Sequence, residues 1–314
     1  MKVYAIVLAA GKGTRMKSDK PKVVHEVLYK PMINHVVDEL KKIGADETIV
    51  VVGHEAEQVK ALLDDSVTAV YQKEQLGTGH AVLMAKEALG DKEGMTLILC
   101  GDAPLIRAET LQGMIEAHEK NHNMGTVMTA DCDTSTHYGR IVKEDGQVTG
   151  IVEFKDLQPD QMDITEMNTG EYCFDNKALF EALEEVSNEN AQNEYYLTDV
   201  IGIMNNKGLK VDTYKIDDFN EVGGVNDRVA LEDATKMLQK RINHDWLVEG
   251  VSIIDASTTY IGRDVEIGAD AVIEPGCIIT GHSRIGSHAH IGAYSILHDV
   301  VVEDGEQIDA YTKR

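Results

Sequence analysis

The sequence predicts an α/β domain on a mostly parallel sheet, followed by a short parallel β-helix. Three observations predict it. Short continuous apolar runs alternate with stretches of helical spacing through residue 124. A glycine-bearing loop directly follows the first of those runs. From Ile261 onward, isoleucines return at six-residue intervals.

Residues 3–8 form an unbroken apolar run rich in strand formers, as in a parallel strand covered on both faces. The opening MKVYAIVLAAG superficially resembles a signal peptide. Its apolar core is short and the basic cluster follows it, so a first buried strand is expected. Ile33, Val36, Val37 and Leu40 recur at helical spacing. Strands are expected at 48–52, 67–71 and 95–100, with helices at 55–63 and 79–89 between them. The run 95–100 ends in Gly101-Asp102. After residue 124 the rhythm changes. Residues 141–143 and 147–154 read as a hairpin around Glu144-Asp145-Gly146. Strand and helix patterns resume at 171–174 and 177–186. Residues 225–248 lack proline and internal glycine and read as a connecting helix. The expected organisation is a domain over 1–224, a connecting helix over 225–250 and a β-helix over 251–314.

The repeat is strict. Ile261, Ile267, Ile273, Ile279, Ile285, Ile291 and Leu297 are six residues apart. Glycine often follows, and a small residue such as Ala271, Cys277, Ser283, Ala289 or Ser295 often comes four places on. Hexapeptide repeats of this kind build a parallel β-helix. The pattern fades after Leu297, so two to three coils are expected at three hexads per coil.

Composition excludes several classes. The chain has 54 acidic against 30 basic residues, a formal net charge of −24. That balance argues against nucleic-acid or anionic-membrane binding. No apolar run approaches the roughly 20 residues of a membrane span. Cys100, Cys132, Cys173 and Cys277 are scattered, with no CxxC pair, and read as reduced thiols of a cytoplasmic protein. No Cys/His spacing suggests zinc.

Against that acidity the first loop stands out. Residues 1–22 carry six basic side chains and one acidic. A strand, then Gly11 and Gly13, can present backbone N–H groups to anionic oxygens. Lys12, Arg15 and Lys22 can add charge-assisted contacts. The loop lacks GxxxxGK[ST], and GxGxxG would require glycine at Met16, so it is neither a P-loop nor a dinucleotide fingerprint. GxG after a strand also fits a plain turn with solvated lysines.

The longer stretch LAAGKGTRM…KPK resembles the nucleotide-binding loop of sugar-nucleotide pyrophosphorylases. Further segments follow in that family's order: QKEQLGTGHA (72–81), GDAPLI (101–106), YGRIV (138–142), GIVEFKD (150–156), MNTGEYCF (167–174), EYYLTDVI (194–201) and GVNDRVAL (224–231). With the hexapeptide repeats, the set is similar to the bacterial N-acetylglucosamine-1-phosphate uridyltransferases, a bifunctional uridyltransferase/acetyltransferase family. The resemblance covers nearly the whole chain. It implies a Rossmann-like mixed sheet of the nucleotide-diphospho-sugar transferase type and a left-handed β-helix.

The resemblance implies that UTP and N-acetylglucosamine 1-phosphate give UDP-N-acetylglucosamine and pyrophosphate, for cell-wall (peptidoglycan) precursor synthesis. Leu8, Ala9, Ala10 and Gly11 would line the uridine and phosphate site. Gln72, Gly77 and Thr78 would hold the uracil and nearby groups. Asp102 and Asn226 would hold Mg²⁺ through hard oxygen donors. Asn226 also stands where an N-cap of the following helix would lie. Arg15 and Lys22 would stabilise phosphate charge. Gly139, Glu153 and Asn168 would meet the sugar. A homotrimer through the β-helix is expected by the same resemblance.

Three positions depart from the family pattern. Cys100 stands where Tyr or Ser is common, and Tyr29 and Asn193 stand where Gly is usual. Full-length members carry a longer β-helix that transfers an acetyl group, so no acetyltransferase activity is expected of this chain. Two other readings stay open: a pyrophosphorylase for another sugar 1-phosphate or nucleotide, and a catalytically silent sugar-nucleotide-binding subunit.

Overall fold

Val3–Ala9 (β1) is apolar on both faces because it lies inside a sheet with a core on each side. Tyr4 and Ile6 enter one core, while Ala5, Val7 and Ala9 enter the other. The computed structural model describes residues 1–131 and 133–314, which leaves Cys132 outside the described residues. The chain forms two compact units. One comprises Met1–Val24 and Met32–Asn226, and the other His25–Pro31 and Asp227–Arg314.

In chain order after β1 come β2 (Glu26–Val27), β3 (Lys30–Pro31), β4 (Glu47–Val52), β5 (Val67–Tyr71), β6 (Met95–Cys100) and β7 (Gly125–Asp131). Then follow β8 (Arg140–Glu144), β9 (Gln147–Val152), β10 (Glu166–Asp175) and β11 (Val211–Ile216). The first unit holds a nine-stranded sheet whose main path runs β11-β7-β10-β6-β1-β4-β5. Only β10 of that path runs against its neighbours, and the β8–β9 hairpin joins through β10. The sheet is therefore mixed and mostly parallel, as the sequence predicts. The apolar runs expected at 3–8, 48–52, 67–71 and 95–100 are its strands β1, β4, β5 and β6. Strands β7 and β11 are not legible in the sequence analysis, because their polar positions break the apolar run.

Helices cover both faces. Met32–Lys42 buries Ile33, Val36, Val37 and Leu40 in one core, together with Leu111 and Met114 of helix Ala108–Lys120. Helices Asn176–Leu183 and Asp199–Asn206 close the other core. Each fully buried aliphatic side chain there contributes about 1.5–3 kcal/mol. The predicted helix over 79–89 is two short pieces, Thr78–Leu83 and Lys86–Leu89.

The chain runs from β1 to β4 and β5 on one side, then returns to place β6 on the other side of β1. Strand order therefore reverses at β1. In open α/β sheets the crevice at such a reversal, outside the carboxyl ends of the strands, is where ligands bind.

In the second unit, helix Arg228–Val248 starts at Asp227, whose side chain accepts from the N–H groups of Val229 and Ala230. The N-cap is thus Asp227 and not Asn226. Gln239 and Asn243 are buried on this helix, where each amide donates to the carbonyl of Thr259, at 2.7 and 2.9 Å. The following strands stack into three parallel sheets. Tyr260 pairs with Ile278 and Glu266 with Arg284, an offset of three hexads per coil. The predicted isoleucines point inward. The inward series does not end at Leu297, as the fading pattern suggested. It continues through Val302 and Ile308, after a coil shortened by one residue that throws off the six-residue count. This is the three-faced parallel arrangement of the left-handed β-helix. In the β2–β3 hairpin, Tyr29 takes φ 64°, so it keeps the left-handed backbone suited to glycine.

Candidate functional site

A cavity of about 330 Å³ opens where strand order reverses. Leu8, Ala9, Ala10, Gly11, Lys22, Gln72, Gly77, Thr78 and Asp102 line it, together with Val23, Gln75, Ala81, Cys100 and Glu194. The structure thus brings nine of the sequence-predicted residues into one cavity. They come from the end of β1 and from the segments that follow three parallel strands, β1, β5 and β6. Gly101 N–H donates to the Leu8 carbonyl at 3.0 Å, and Gln72 N–H to the Val52 carbonyl at 2.8 Å, which ties these loops together.

The first loop folds back on itself. Met16 is fully buried and its N–H donates to the Gly13 carbonyl at 3.0 Å. Gly13 has φ 60°, and a Cβ there would lie 2.6 Å from the Lys22 Cβ, so only glycine lets the loop close over Lys22.

Gln72 is buried, and its Nε2 donates to the Gly77 carbonyl at 3.2 Å and meets His80 Nδ1 at 2.9 Å. Thr78 Oγ1 accepts from Leu197 N–H at 3.0 Å, and Gly79 N–H donates to the Tyr195 carbonyl at 2.8 Å. The segments QKEQLGTGHA and EYYLTDVI are therefore laced together, which explains why both accompany this site. Asn193, where glycine was the usual residue, has φ 55° and keeps the glycine-type backbone.

The charged centre lies beside the cavity. Lys22 Nζ forms an ion pair with Asp102 Oδ2 and donates to Asn226 Oδ1 at 3.0 Å. Arg15 Nη2 donates to the same Asn226 oxygen at 2.9 Å. Main-chain contacts anchor the Asp102 backbone and the Asn226 amide. Val225 N–H donates to the Asp102 carbonyl at 2.9 Å, and Asn226 Nδ2 to the Gly224 carbonyl at 3.0 Å. Gly224 N–H donates to the Tyr138 hydroxyl at 3.2 Å, whose ring meets Phe219 edge-on. Burial pushes the Tyr138 phenol up to about 12, so it stays protonated.

Gly139, Glu153 and Asn168 form a separate group outside the cavity lining. Asn168 N–H donates to the Gly139 carbonyl at 2.9 Å, and a Cβ on Gly139 would stand 3.6 Å from a Glu153 oxygen. Glu153 accepts from the Thr198 hydroxyl at 3.2 Å, and burial raises its carboxyl. Asn168 Nδ2 donates to the Tyr172 hydroxyl at 2.8 Å, and Asn168 Oδ1 accepts from Gly170 N–H at 3.2 Å. Gly170 in turn touches Cys100, whose thiol faces its carbonyl at 3.7 Å. That contact joins the group to the strand ahead of Asp102.

Sequence reasoning did not find Glu171, Tyr138 or Glu194. Glu171 is fully buried, and among the described residues neither carboxyl oxygen has a hydrogen-bond partner. Burial pushes its carboxyl up to about 8, and the charge of Asp102 adds to the effect. Alternation along β10 gave no warning, because a register shift between Asn168 and Tyr172 interrupts it. Among the described residues the cysteines 100, 173 and 277 are free thiols. No helix among them is long and apolar enough to cross a membrane.

The nucleotidyl transferase family matches residues 4–239, and the six-repeat bacterial transferase hexapeptide family matches 258–293. The chain is 50% identical over 310 residues to the bifunctional protein GlmU of Shouchella clausii, which covers 98% of the chain and 66% of that protein. It is 50% identical over 297 residues to its counterpart in Halalkalibacterium halodurans, which covers 94% of the chain and 65% of that protein. For the protein from Geobacillus sp. WCH70 the identity is 50% over 309 residues, covering 98% and 67%. The chain therefore spans about two thirds of the length of these relatives. Among solved structures, a UDP-glucose pyrophosphorylase in complex with UDP-glucose superposes with a TM-score of 0.63 at 20% identity, covering 77% of this chain and 100% of that one. The Acinetobacter baumanii UDP-glucose pyrophosphorylase superposes with a TM-score of 0.60 at 20% identity, covering 79% and 99%. Those two likenesses concern the fold.

Proposed function

Since the chain belongs to the nucleotidyl transferase family, in its GlmU branch, we propose that it transfers uridylyl from UTP to N-acetylglucosamine 1-phosphate. The products are UDP-N-acetylglucosamine and pyrophosphate, and the proposed role is cell-wall precursor synthesis in the cytoplasm. The observation that carries the reading is the cavity where strand order reverses, with the basic loop on one wall and the Gln72–Thr78 segment on another.

In this reading the sugar phosphate oxygen attacks the α-phosphorus of UTP in line. One P–O bond forms to that oxygen as the bond to the β-phosphate oxygen breaks. No general base is required, because the attacking phosphate monoester is already ionised. Positioning and charge neutralisation do most of the work. The backbone of Leu8–Gly11 holds the nucleoside and phosphates. The Gln72 amide nitrogen is engaged by Gly77 and His80, so its oxygen faces the uracil imide N–H as the acceptor. Arg15 and Lys22 neutralise the transferring and leaving phosphates. Glu153 and Asn168 take the sugar hydroxyls and the acetamido group.

The residues fit a divalent cation. Asp102 and Asn226 offer hard oxygens, and both already converge on one positive group, the Lys22 ammonium. Mg²⁺ is the proposed ion, held by Asp102 and Asn226. When bound it supplies neutralisation of phosphate charge. The hexapeptide region is the proposed seat of oligomerisation, as a homotrimer.

The experiment is pyrophosphate release from UTP and N-acetylglucosamine 1-phosphate, with Mg²⁺ and with EDTA. Release that EDTA abolishes supports the reading. A folded chain that releases pyrophosphate only with glucose 1-phosphate or dTTP overturns the substrate assignment. A chain that binds UDP-N-acetylglucosamine without turnover overturns the enzyme assignment.

A further inference from the structure

Lys22 occupies an unusual place for a phosphate-binding lysine. Its ammonium lies between Asp102 Oδ2 and Asn226 Oδ1, the two oxygens assigned above to the cation. Both partners are largely sheltered, with 18% of the lysine side chain and 13% of the aspartate side chain exposed. The two residues have anchors other than the lysine. Asp102 is tied through its carbonyl to Val225 N–H, and the Asn226 amide is oriented by its own bond to the Gly224 carbonyl. The Asn226 amide is therefore oriented by the main chain, the Asp102 backbone is fixed beside it, and the two side-chain oxygens meet at a single ammonium.

We propose that Lys22 is the built-in stand-in for the metal. Its ammonium fills the cation site of the empty enzyme and leaves for the phosphates when a nucleotide arrives, so the metal enters with the nucleotide and not before it. This deepens the uridylyltransferase reading and rests on it for the identity of the nucleotide. The physical reason is competition. A compact divalent ion and an ammonium cannot share the same two oxygens, and an ammonium on a flexible stem can swing to an anionic ligand. Arg15 remains on Asn226 while Lys22 moves, because its guanidinium reaches that oxygen independently.

The proposal makes a prediction of unexpected sign: removing a positive charge from the site tightens metal binding when no nucleotide is present. The experiment measures Mn²⁺ binding to the full chain by electron paramagnetic resonance of the free ion, with metal alone. Lys22→Met and Lys22→Gln are compared with the parent chain. Loss of the competing charge-assisted bond should tighten Mn²⁺ binding about tenfold in both variants. Adding Asp102→Asn to either should abolish the gain. A non-hydrolysable UTP analogue should tighten Mn²⁺ binding to the parent chain and do much less in the lysine variants. Thermal melts show whether each variant is folded, and a folded variant of either kind decides the question. Mn²⁺ binding that is unchanged or weaker in a folded lysine variant overturns the proposal. The metal-alone arm separates the two claims. Tighter binding in the lysine variants beside a parent chain that fails to turn over UTP upholds the stand-in and sinks the substrate reading, and unchanged binding in the variants beside a parent chain that turns over UTP sinks the stand-in alone.

Discussion

Arg15 Nη2 donates a 2.9 Å hydrogen bond to Oδ1 of Asn226, a residue 211 positions further along the chain. The bond joins the basic loop after the first strand to the segment just before the long helix. A guanidinium there can hold Asn226 in place and still face a phosphate. Arg15→Ala should lower kcat/KM for UTP by about 10- to 100-fold, the worth of one charge-assisted bond. Steady-state kinetics at fixed Mg²⁺ check this, and an unchanged value would remove Arg15 from the site.

Asp102→Asn keeps the size of the side chain and removes its charge. Metal-dependent pyrophosphate release should fall by at least about 100-fold. The Asp102 backbone bond to Val225 is unaffected by the change, so the melting temperature should stay close to that of the parent. Near-normal turnover in a folded variant would refute the metal assignment.

Glu171 makes stability depend on pH. Its carboxyl titrates at about 8 when folded, against an ordinary value of 4.5. Its contribution is fully present below 4.5 and is progressively lost as pH rises through about 8, because the unfolded chain then sheds the proton more readily. Glu171→Gln is neutral at every pH. It should therefore match the parent near pH 4.5 and exceed it by on the order of a few kcal/mol at pH 8. Denaturant unfolding at the two pH values decides. Equal curves at pH 8 would mean that the carboxyl is ionised without cost.

Gly77 sits at φ 122°, and a Cβ there would lie 2.5 Å from the Tyr195 carbonyl oxygen. Gly77→Ala should cost about 1–3 kcal/mol of stability through backbone strain. It should also raise KM for UTP, because Gln72 is anchored on the Gly77 carbonyl. A variant with unchanged stability and KM would show that the loop has room to move.

Periodicity carried much of the fold. Buried parallel strands must be apolar on both faces, so β1, β4 and β6 carry continuous apolar runs, while β5, at the sheet edge, is read from its strand-forming residues. The inward face of a β-helix repeats each hexad, so isoleucine at six-residue spacing announces that too. The motifs also marked most of the cavity lining, since glycine, glutamine and aspartate at these positions follow strand ends. What periodicity could not reveal was the antiparallel place of β10, because neighbours in a sheet are chosen by chain path and not by composition.

The sequence by itself determined that there would be an α/β sheet, a basic glycine loop at the end of its first strand and a hexapeptide coil. Those depend on local patterns of polarity and on which residues tolerate tight turns. Only the tertiary structure decided that Lys22 lies between Asp102 and Asn226, and that Glu171 is fully buried with no hydrogen-bond partner for its carboxyl oxygens among the described residues. Such relations depend on where strands far apart in the chain come to lie, and on the burial that follows. A charge or a carboxyl acquires its working character from that neighbourhood.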